Sequence, residues 1–337
     1  MKISVIGSGS WGTAIAVMLA TMGHSVILWS YDSTECEELK KHRENKPFLP
    51  SIKIPDSVEF TNNIEDCVSV DLIVMATPSF AVRATAKLLA PHISDGQVIV
   101  NISKGLEEDS LLTLSQVISS EIPKADVAVM SGPSHAEEVS RSLPTTNVVA
   151  AKNMKTAEFV QEIFMNPYFR VYTNDDILGV ELGGSLKNII ALCAGISDGL
   201  GYGDNTKAAL MTRGIAEMTR LGTAMGARAE TFGGLSGVGD LIVTCCSQHS
   251  RNRRCGILLG QGKSLAEAQS EIKMVVEGVN TTCAAKALAQ KCGVEMPIVN
   301  ECYSVLYEAK PPRDVAASLM GRTRRNESEQ GFLGEKV

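Results

Sequence analysis

A strand-like run, Ile3-Ser4-Val5-Ile6, passes directly into Gly7-Ser8-Gly9-Ser10-Trp11-Gly12 and then into an apolar helical pattern. Few local patterns restrict a fold so tightly. Each glycine answers a separate demand: Gly7 permits a tight turn, Gly9 lets the backbone approach a pyrophosphate, and Gly12 lets helix and strand pack closely. The helix beginning there offers free N–H groups and a partial positive charge to phosphates. Glycines alone are weak evidence, but at the head of a strand–turn–helix unit they predict dinucleotide binding. A turn that merely needs flexible residues is the weaker reading.

The segments that follow extend this pattern. Val26–Trp29, Leu72–Ala76, Val98–Ile102, Val127–Met130 and Val148–Ala150 are short, nearly continuous apolar runs rich in β-branched residues. Strands buried on both faces of a parallel sheet have this composition. Between them, Gly12–Met22, Phe80–Leu89 and Leu111–Ser120 suit crossover helices. The alternation implies an α/β, doubly wound (Rossmann) domain over residues 1–175. Beyond Asp175 the apolar runs lengthen to helical size in Ile177–Ile196, Thr206–Met225, Thr281–Cys292 and Pro297–Leu306, with Gly226 and Gly293 as stops. Residues 176–337 therefore read as an all-α C-terminal domain that ends in a polar tail from Arg322 to Val337.

Bulk properties exclude several functional classes. At 337 residues the chain exceeds the roughly 100–200 residues of a single core, which favours two domains. A net charge of −6 argues against nucleic acid as the main partner. No unbroken run reaches the ~18 apolar residues of a membrane span, and the first strand starts too early for a signal peptide. The nine cysteines form no C-x-x-C pair, so they read as reduced thiols in a cytoplasmic protein, with no metal site expected. Cys245 and Cys246 are adjacent, and packing or reactivity is open for each.

Further polar segments stand where a plain core would not need them. Ser103-Lys104-Gly105 and Ser131-Gly132-Pro133-Ser134 each follow a strand, at the carboxyl edge where doubly wound sheets bind ligands. A helix is expected to open at Ser134. Lys187 lies among Leu186, Ile189, Ile190 and Leu192, so its ammonium would be partly desolvated and suited to acid–base chemistry. A snorkelling surface lysine fits the same spacing equally well. Asp240 would orient Lys187, although its charge opposes the effect of desolvation. Ser250-Arg251-Asn252-Arg253-Arg254 reads as an anion site, the guanidinium gripping a phosphate in bidentate fashion, or as a solvated basic face. The second strand ends Trp29-Ser30-Tyr31-Asp32, with neither an Arg nor an acid directly after Trp29. Asp32 comes two residues late to hold a ribose and equally suits the N-cap of the helix that follows.

Taken together, these segments resemble bacterial NAD(P)-dependent glycerol-3-phosphate dehydrogenases. The resemblance rests on Gly7–Thr13, Ser103-Lys104-Gly105-Leu106, Ser131-Gly132-Pro133-Ser134, Glu181–Asn188, Gly237-Val238-Gly239-Asp240-Leu241 and Ser250–Arg254, and spans residues 2 to about 321. Gly-Gly-Ser-Leu-Lys-Asn and Ser-Arg-Asn-Arg-Arg are its most specific parts. It implies interconversion of glycerone phosphate and sn-glycerol 3-phosphate, which supplies phospholipid synthesis. By resemblance, Lys187 is the proton donor, with Lys104, Asp240, Asn188 and Thr244 lining the same catalytic site. Lys104, Gly132, Ser134, Lys187, Asp240, Ser250, Arg251 and Asn252 would hold the substrate. Gly7, Gly9, Ser10, Trp11, Gly12, Tyr31, Lys104, Ala136, Arg251, Val275 and Glu277 match cofactor-contacting positions. The implied cofactor is NADP or NAD, with NADPH favoured. A homodimer is the expected assembly.

Two rival functions fit parts of the sequence. A dehydrogenase of 3-hydroxy acids or sugar nucleotides would share the glycine loop, but the Arg251–Arg254 cluster argues for a small phosphate ester. A non-catalytic dinucleotide sensor would need no acid–base lysine, so Lys187, Lys104 and Asp240 count against it.

Overall fold

Strand β1 (Lys2–Ile6) sends Ile3 and Val5 into one apolar cluster and Ile6 into another, which is the signature of a sheet covered on both faces. The computed structural model describes residues 1–324, 326 and 327, so Arg325 and residues 328–337, most of the polar tail, lie outside it. Two compact units are present. The first comprises Met1–Lys104 and Leu112–Ile177, and the second Gly105–Leu111 with the residues from Leu178 on.

In the first unit the remaining strands are β2 (Ser25–Trp29), β3 (Glu44–Asn45), β4 (Leu49–Lys53), β5 (Val58–Thr61), β6 (Leu72–Met75), β7 (Val98–Asn101), β8 (Asp126–Ser131), β9 (Thr145–Ala151) and β10 (Phe169–Asn174). Its helices are α1 (Ser10–Thr21), α2 (Ser33–His42), α3 (Val82–Leu89), α4 (Leu114–Glu121), α5 (Ala136–Val139) and α6 (Met154–Phe164). Eight strands form one sheet in the order β10-β9-β8-β7-β6-β1-β2-β5, while β3 and β4 pair separately. From β1 the chain winds outward to β2 and β5, then returns to β6 on the other side. The strand order thus reverses between β1 and β6, the switch point outside which doubly wound sheets bind ligands.

Four strands, β3, β4, β5 and β10, add to those expected from the apolar runs. The sheet is also not wholly parallel, because β9 runs antiparallel to β8, with β10 parallel to β9. The helix expected from Leu111 starts at Leu114, because Leu111 takes a left-handed φ of 60° and Thr113 with Gln116 forms a capping box. The helix expected at Ser134 starts two residues later, at Ala136.

The second unit is helical among the described residues: α7 (Ile177–Gly199), α8 (Asp204–Ala224), α9 (Ala229–Phe232), α10 (Asp240–Cys246), α11 (Arg251–Gly260), α12 (Leu265–Ile272), α13 (Glu277–Cys292), α14 (Pro297–Tyr307) and α15 (Pro312–Met320). Helix α7 is its axis. By length and composition it passes for a membrane span, yet 89% of its most apolar window is buried inside the protein. Leu182, Leu186, Ile189, Ile190 and Leu192 of α7 all join the helical core. Leu106, from the short early excursion of the chain, joins the same core. Behind it, the Ser185 hydroxyl bonds both the amide and the carbonyl of Gly105 at 3.0 Å.

Candidate active site

The glycine-rich turn sits at the β1 end of the switch point. Gly7 has φ 120°, and a Cβ there would fall 2.8 Å from the Ala76 carbonyl oxygen at the end of β6. A Cβ on Gly12 would fall 1.9 Å from the Gly7 carbonyl oxygen, so helix and turn touch through bare backbone. Around Gly9, by contrast, the Cβ direction is open. Helix α1 has no side-chain cap and no acidic residue in its first turn. Its N-terminus is therefore suited to an anion from outside the helix, and a pyrophosphate fits that requirement.

A residue the sequence did not single out braces this turn. The Asn45 side-chain amide, buried at the start of the β3–β4 hairpin, donates to the Ser8 carbonyl at 2.6 Å and to the Thr13 hydroxyl at 2.8 Å. The Thr13 hydroxyl donates to the same carbonyl at 3.1 Å. Ser10, at the start of α1, is buried, and Trp11 beside it is half-buried. Tyr31 lies just past β2, 83% exposed, its ring edge-on to Trp29. Asp32 is the N-cap of α2, accepting N–H bonds from Thr34 at 2.7 Å and Glu35 at 3.2 Å. Those backbone bonds hold its carboxyl below the usual carboxylate range.

The first unit also gathers Lys104, Gly132 and Ser134. The Lys104 ammonium donates to the Gly132 carbonyl at 3.1 Å, and the Ser134 hydroxyl to the same oxygen at 2.9 Å. Ala136, buried, is the first residue of α5.

In the second unit the acid–base candidates converge. Gly183 of α7 lies so close to the π-helical turn Leu235–Gly239 that a Cβ would come 2.7 Å from the Ser236 carbonyl oxygen. This approach delivers α10 to the turn of α7 that carries Lys187. Asp240 and Thr244, four residues apart, share one face of α10. The Lys187 Nζ donates to Asp240 Oδ1 at 2.8 Å and to Thr244 Oγ1 at 2.5 Å. Thr244 in turn donates to the Asp240 carbonyl at 2.6 Å. Lys187 is 6% exposed and Asp240 1%, which settles the alternative of a snorkelling lysine. It is a buried ion pair.

The basic segment divides its labour. Ser250 caps α11 by accepting the Arg253 N–H at 3.2 Å. Arg253 turns away from any ligand role: Nε and Nη2 donate to Asp198 Oδ2 at 2.8 and 2.7 Å, and Lys207 donates to Asp198 Oδ1 at 2.8 Å. Arg254 is exposed, and half-exposed Arg251 opens the helix. Asn252 is buried, its Nδ2 donating to Asn188 Oδ1 at 2.9 Å and its Oδ1 accepting the Gly278 N–H at 2.8 Å. Glu277 is the first residue of α13, and Val275 lies two residues before it. Asp198, like Asn45, carried no sequence signal, because a lone polar residue reads as solvated until its partner is known. Cys245 packs in the core, where burial pushes its thiol up to about 12, whereas Cys246 is exposed.

Comparison with known proteins follows this division into units. A family model described as the NAD-dependent glycerol-3-phosphate dehydrogenase N-terminus matches residues 2–157, and one described as the C-terminus matches residues 176–317. The glycerol-3-phosphate dehydrogenase [NAD(P)+] of Agathobacter rectalis is 57% identical over 327 residues, covering 97% of both chains. The enzyme of the same name from Moorella thermoacetica is 55% identical, covering 98% of both. The crystal structure of glycerol-3-phosphate dehydrogenase from Coxiella burnetii superimposes with a TM-score of 0.93 at 40% identity, over 95% of this chain and 99% of that one. With both halves matched and relatives this similar along nearly its whole length, the chain belongs to the NAD(P)-dependent glycerol-3-phosphate dehydrogenase family.

Proposed function

We propose that this protein interconverts glycerone phosphate and sn-glycerol 3-phosphate, using NADH or NADPH, and so supplies glycerol 3-phosphate for phospholipid synthesis. The observation that carries the reading is the buried Lys187–Asp240–Thr244 cluster. When bound, the nicotinamide supplies a hydride to the central carbon of the ketone. Lys187 gives its proton to the oxygen that becomes the alkoxide, and takes it back in the reverse direction. Asp240 and Thr244 fix the direction of the ammonium, so little reorganisation is needed as charge develops. Arg251, with Ser250 and Asn252 beside it on the α11 terminus, holds the remote phosphate and spends that binding energy on orienting the ketone. Lys104, Gly132 and Ser134 complete the substrate contacts, and Asn188 lines the same site.

For the cofactor, the N-terminus of α1 with Gly7, Gly9, Ser10, Trp11 and Gly12 would hold the pyrophosphate. Tyr31 and Ala136 would add contacts in the first unit, and Arg251, Val275 and Glu277 in the second. The same proposal places the enzyme in the cytoplasm as a homodimer, without membrane insertion. Absorbance at the reduced-nicotinamide band, followed with glycerone phosphate and separately with NADH and NADPH, tests the reading. Turnover with at least one cofactor is expected. Oxidation of neither in the presence of glycerone phosphate would refute it.

A further inference from the structure

The head of α13 and two buried asparagines form one hydrogen-bonded line: Gly278 N–H to Asn252 Oδ1 at 2.8 Å, then Asn252 Nδ2 to Asn188 Oδ1 at 2.9 Å. A backbone N–H can only donate, so the first bond fixes which end of the Asn252 amide faces α13. Its NH₂ end must then face Asn188. That in turn fixes Asn188, whose carbonyl oxygen is claimed and whose own NH₂ is the end left over. Two amides that could each sit either way round are thereby given one orientation by a single main-chain donor.

The packing enforces the line. A Cβ on Gly278 would stand 2.7 Å from the main-chain carbonyl oxygen of Asn188 and 2.9 Å from Asn252 Oδ1, so only a glycine lets the α13 terminus come this near. Asn188 and Asn252 are 4% and 8% exposed, so bulk water competes little for these bonds. The first turn of a helix is also where a donor is strengthened by the macrodipole.

We propose that Gly278 and Asn252 act as a polarity relay that makes Asn188 a fixed double donor, so the ligand atom it meets is an acceptor oxygen: carbonyl, alkoxide or phosphate. A hydroxyl that needs an acceptor at that point is disfavoured. Asn252 is in this respect a positioning residue whose effect runs through Asn188. The proposal rests on the glycerone phosphate reading, in which Asn188 lines the substrate site.

Asn252→Asp tests it. The carboxylate still accepts from Gly278 but offers no donor, so the Asn188 amide turns its NH₂ inward and presents its oxygen to the ligand. Catalytic efficiency on glycerone phosphate should fall about 10- to 100-fold, the cost of losing a hydrogen bond to a charged or charging group. NAD(P)H affinity without substrate should stay within about twofold, because the α13 contact is kept. Gly278→Ala should lower efficiency in the same direction while the protein stays folded by circular dichroism. The deciding measurement is a cycle with Asn188→Ala. In that background Asn252→Asp should cost at least about fivefold less than in the wild type, since the donor it controls is already gone and only its direct effect at the phosphate remains. Losses that multiply in the double variant would refute the relay alone, and so would a general loss of cofactor affinity in Asn252→Asp. A wild-type protein inactive on glycerone phosphate would remove the functional reading and the relay with it.

Discussion

Lys187 and Asp240 stand 53 residues apart in the chain and 2.8 Å apart in space, an ion pair with side chains 7% and 2% exposed. Removing one partner strands the other charge in the interior, which typically costs about 3–5 kcal/mol. Lys187→Met should therefore lower stability as well as turnover, the latter by the ~10²–10⁴ typical of a lost acid–base group. Lys187→Met with Asp240→Leu should regain much of the stability and none of the activity. Denaturant melts beside initial rates separate the two effects, and near-normal turnover in Lys187→Met would remove this lysine from the chemistry.

Arg251 is expected to act through the phosphate. Arg251→Ala should raise the KM for glycerone phosphate by about 10-fold or more, as befits the loss of a charge-assisted bond. Dihydroxyacetone, which lacks the phosphate, should be turned over equally poorly by both proteins. An unchanged KM for glycerone phosphate would show that another group holds the phosphate.

Asn45 offers a test remote from the substrate. Asn45→Ala deletes both donors that brace Ser8 and Thr13, leaving a buried carbonyl with one fewer partner, at a cost of about 1–3 kcal/mol. Cofactor affinity should drop while the KM for glycerone phosphate holds. Fluorescence titration with NADH or NADPH reads this directly; equal affinities would mean that the turn keeps its shape without the brace.

Glu217 of α8 is buried, accepting the Ile298 and Val299 N–H groups at the head of α14 at 2.8 and 3.3 Å. Burial pushes its carboxyl up to about 7, against the lowering effect of those two bonds and of Arg220 and Arg322. The folded state thus binds the proton more tightly than the unfolded chain, where the value is 4.5. Its contribution to stability is complete below about pH 4.5 and is lost as pH rises through about 7, amounting to ~3 kcal/mol. Glu217→Gln, which cannot ionise, should flatten that slope in denaturation curves from pH 5 to 8. An unaltered slope would place the titration elsewhere.

The adjacent cysteines should differ in reactivity. An exposed Cys246 should be modified by a thiol reagent in the native protein, whereas Cys245, core-packed and raised to about 12, should react only on unfolding. Mass mapping after brief alkylation distinguishes them.

What could be read from the chain follows from how local each signal is. The strands β1, β2, β6, β7 and β8 were legible because burial on both faces leaves a continuous apolar run. Strand β10 alternates buried Phe169 and Val171 with exposed Arg170 and Tyr172 at the sheet edge, and β3 has only Glu44 and Asn45, so neither leaves such a run. That β9 runs against β8 leaves no trace in composition, since both directions bury the same residues. At the site, the glycine loop was readable from its spacing, but whether Lys187 faced water or core was not. Nor could spacing show that Arg253, within an apparently uniform basic run, is committed to Asp198.

The early excursion Gly105–Leu111 gives this architecture a sewn character. The chain enters the helical unit, leaves it after Leu111, and returns at Leu178, so no single cut releases the two units intact. A fragment beginning at Leu178 would keep all of its helices yet lack Leu106 from its core and leave the Ser185 hydroxyl without its Gly105 partners. Anyone grafting a different nucleotide domain onto these helices must carry that short stitch across, or supply its side chain and its two bonds by other means.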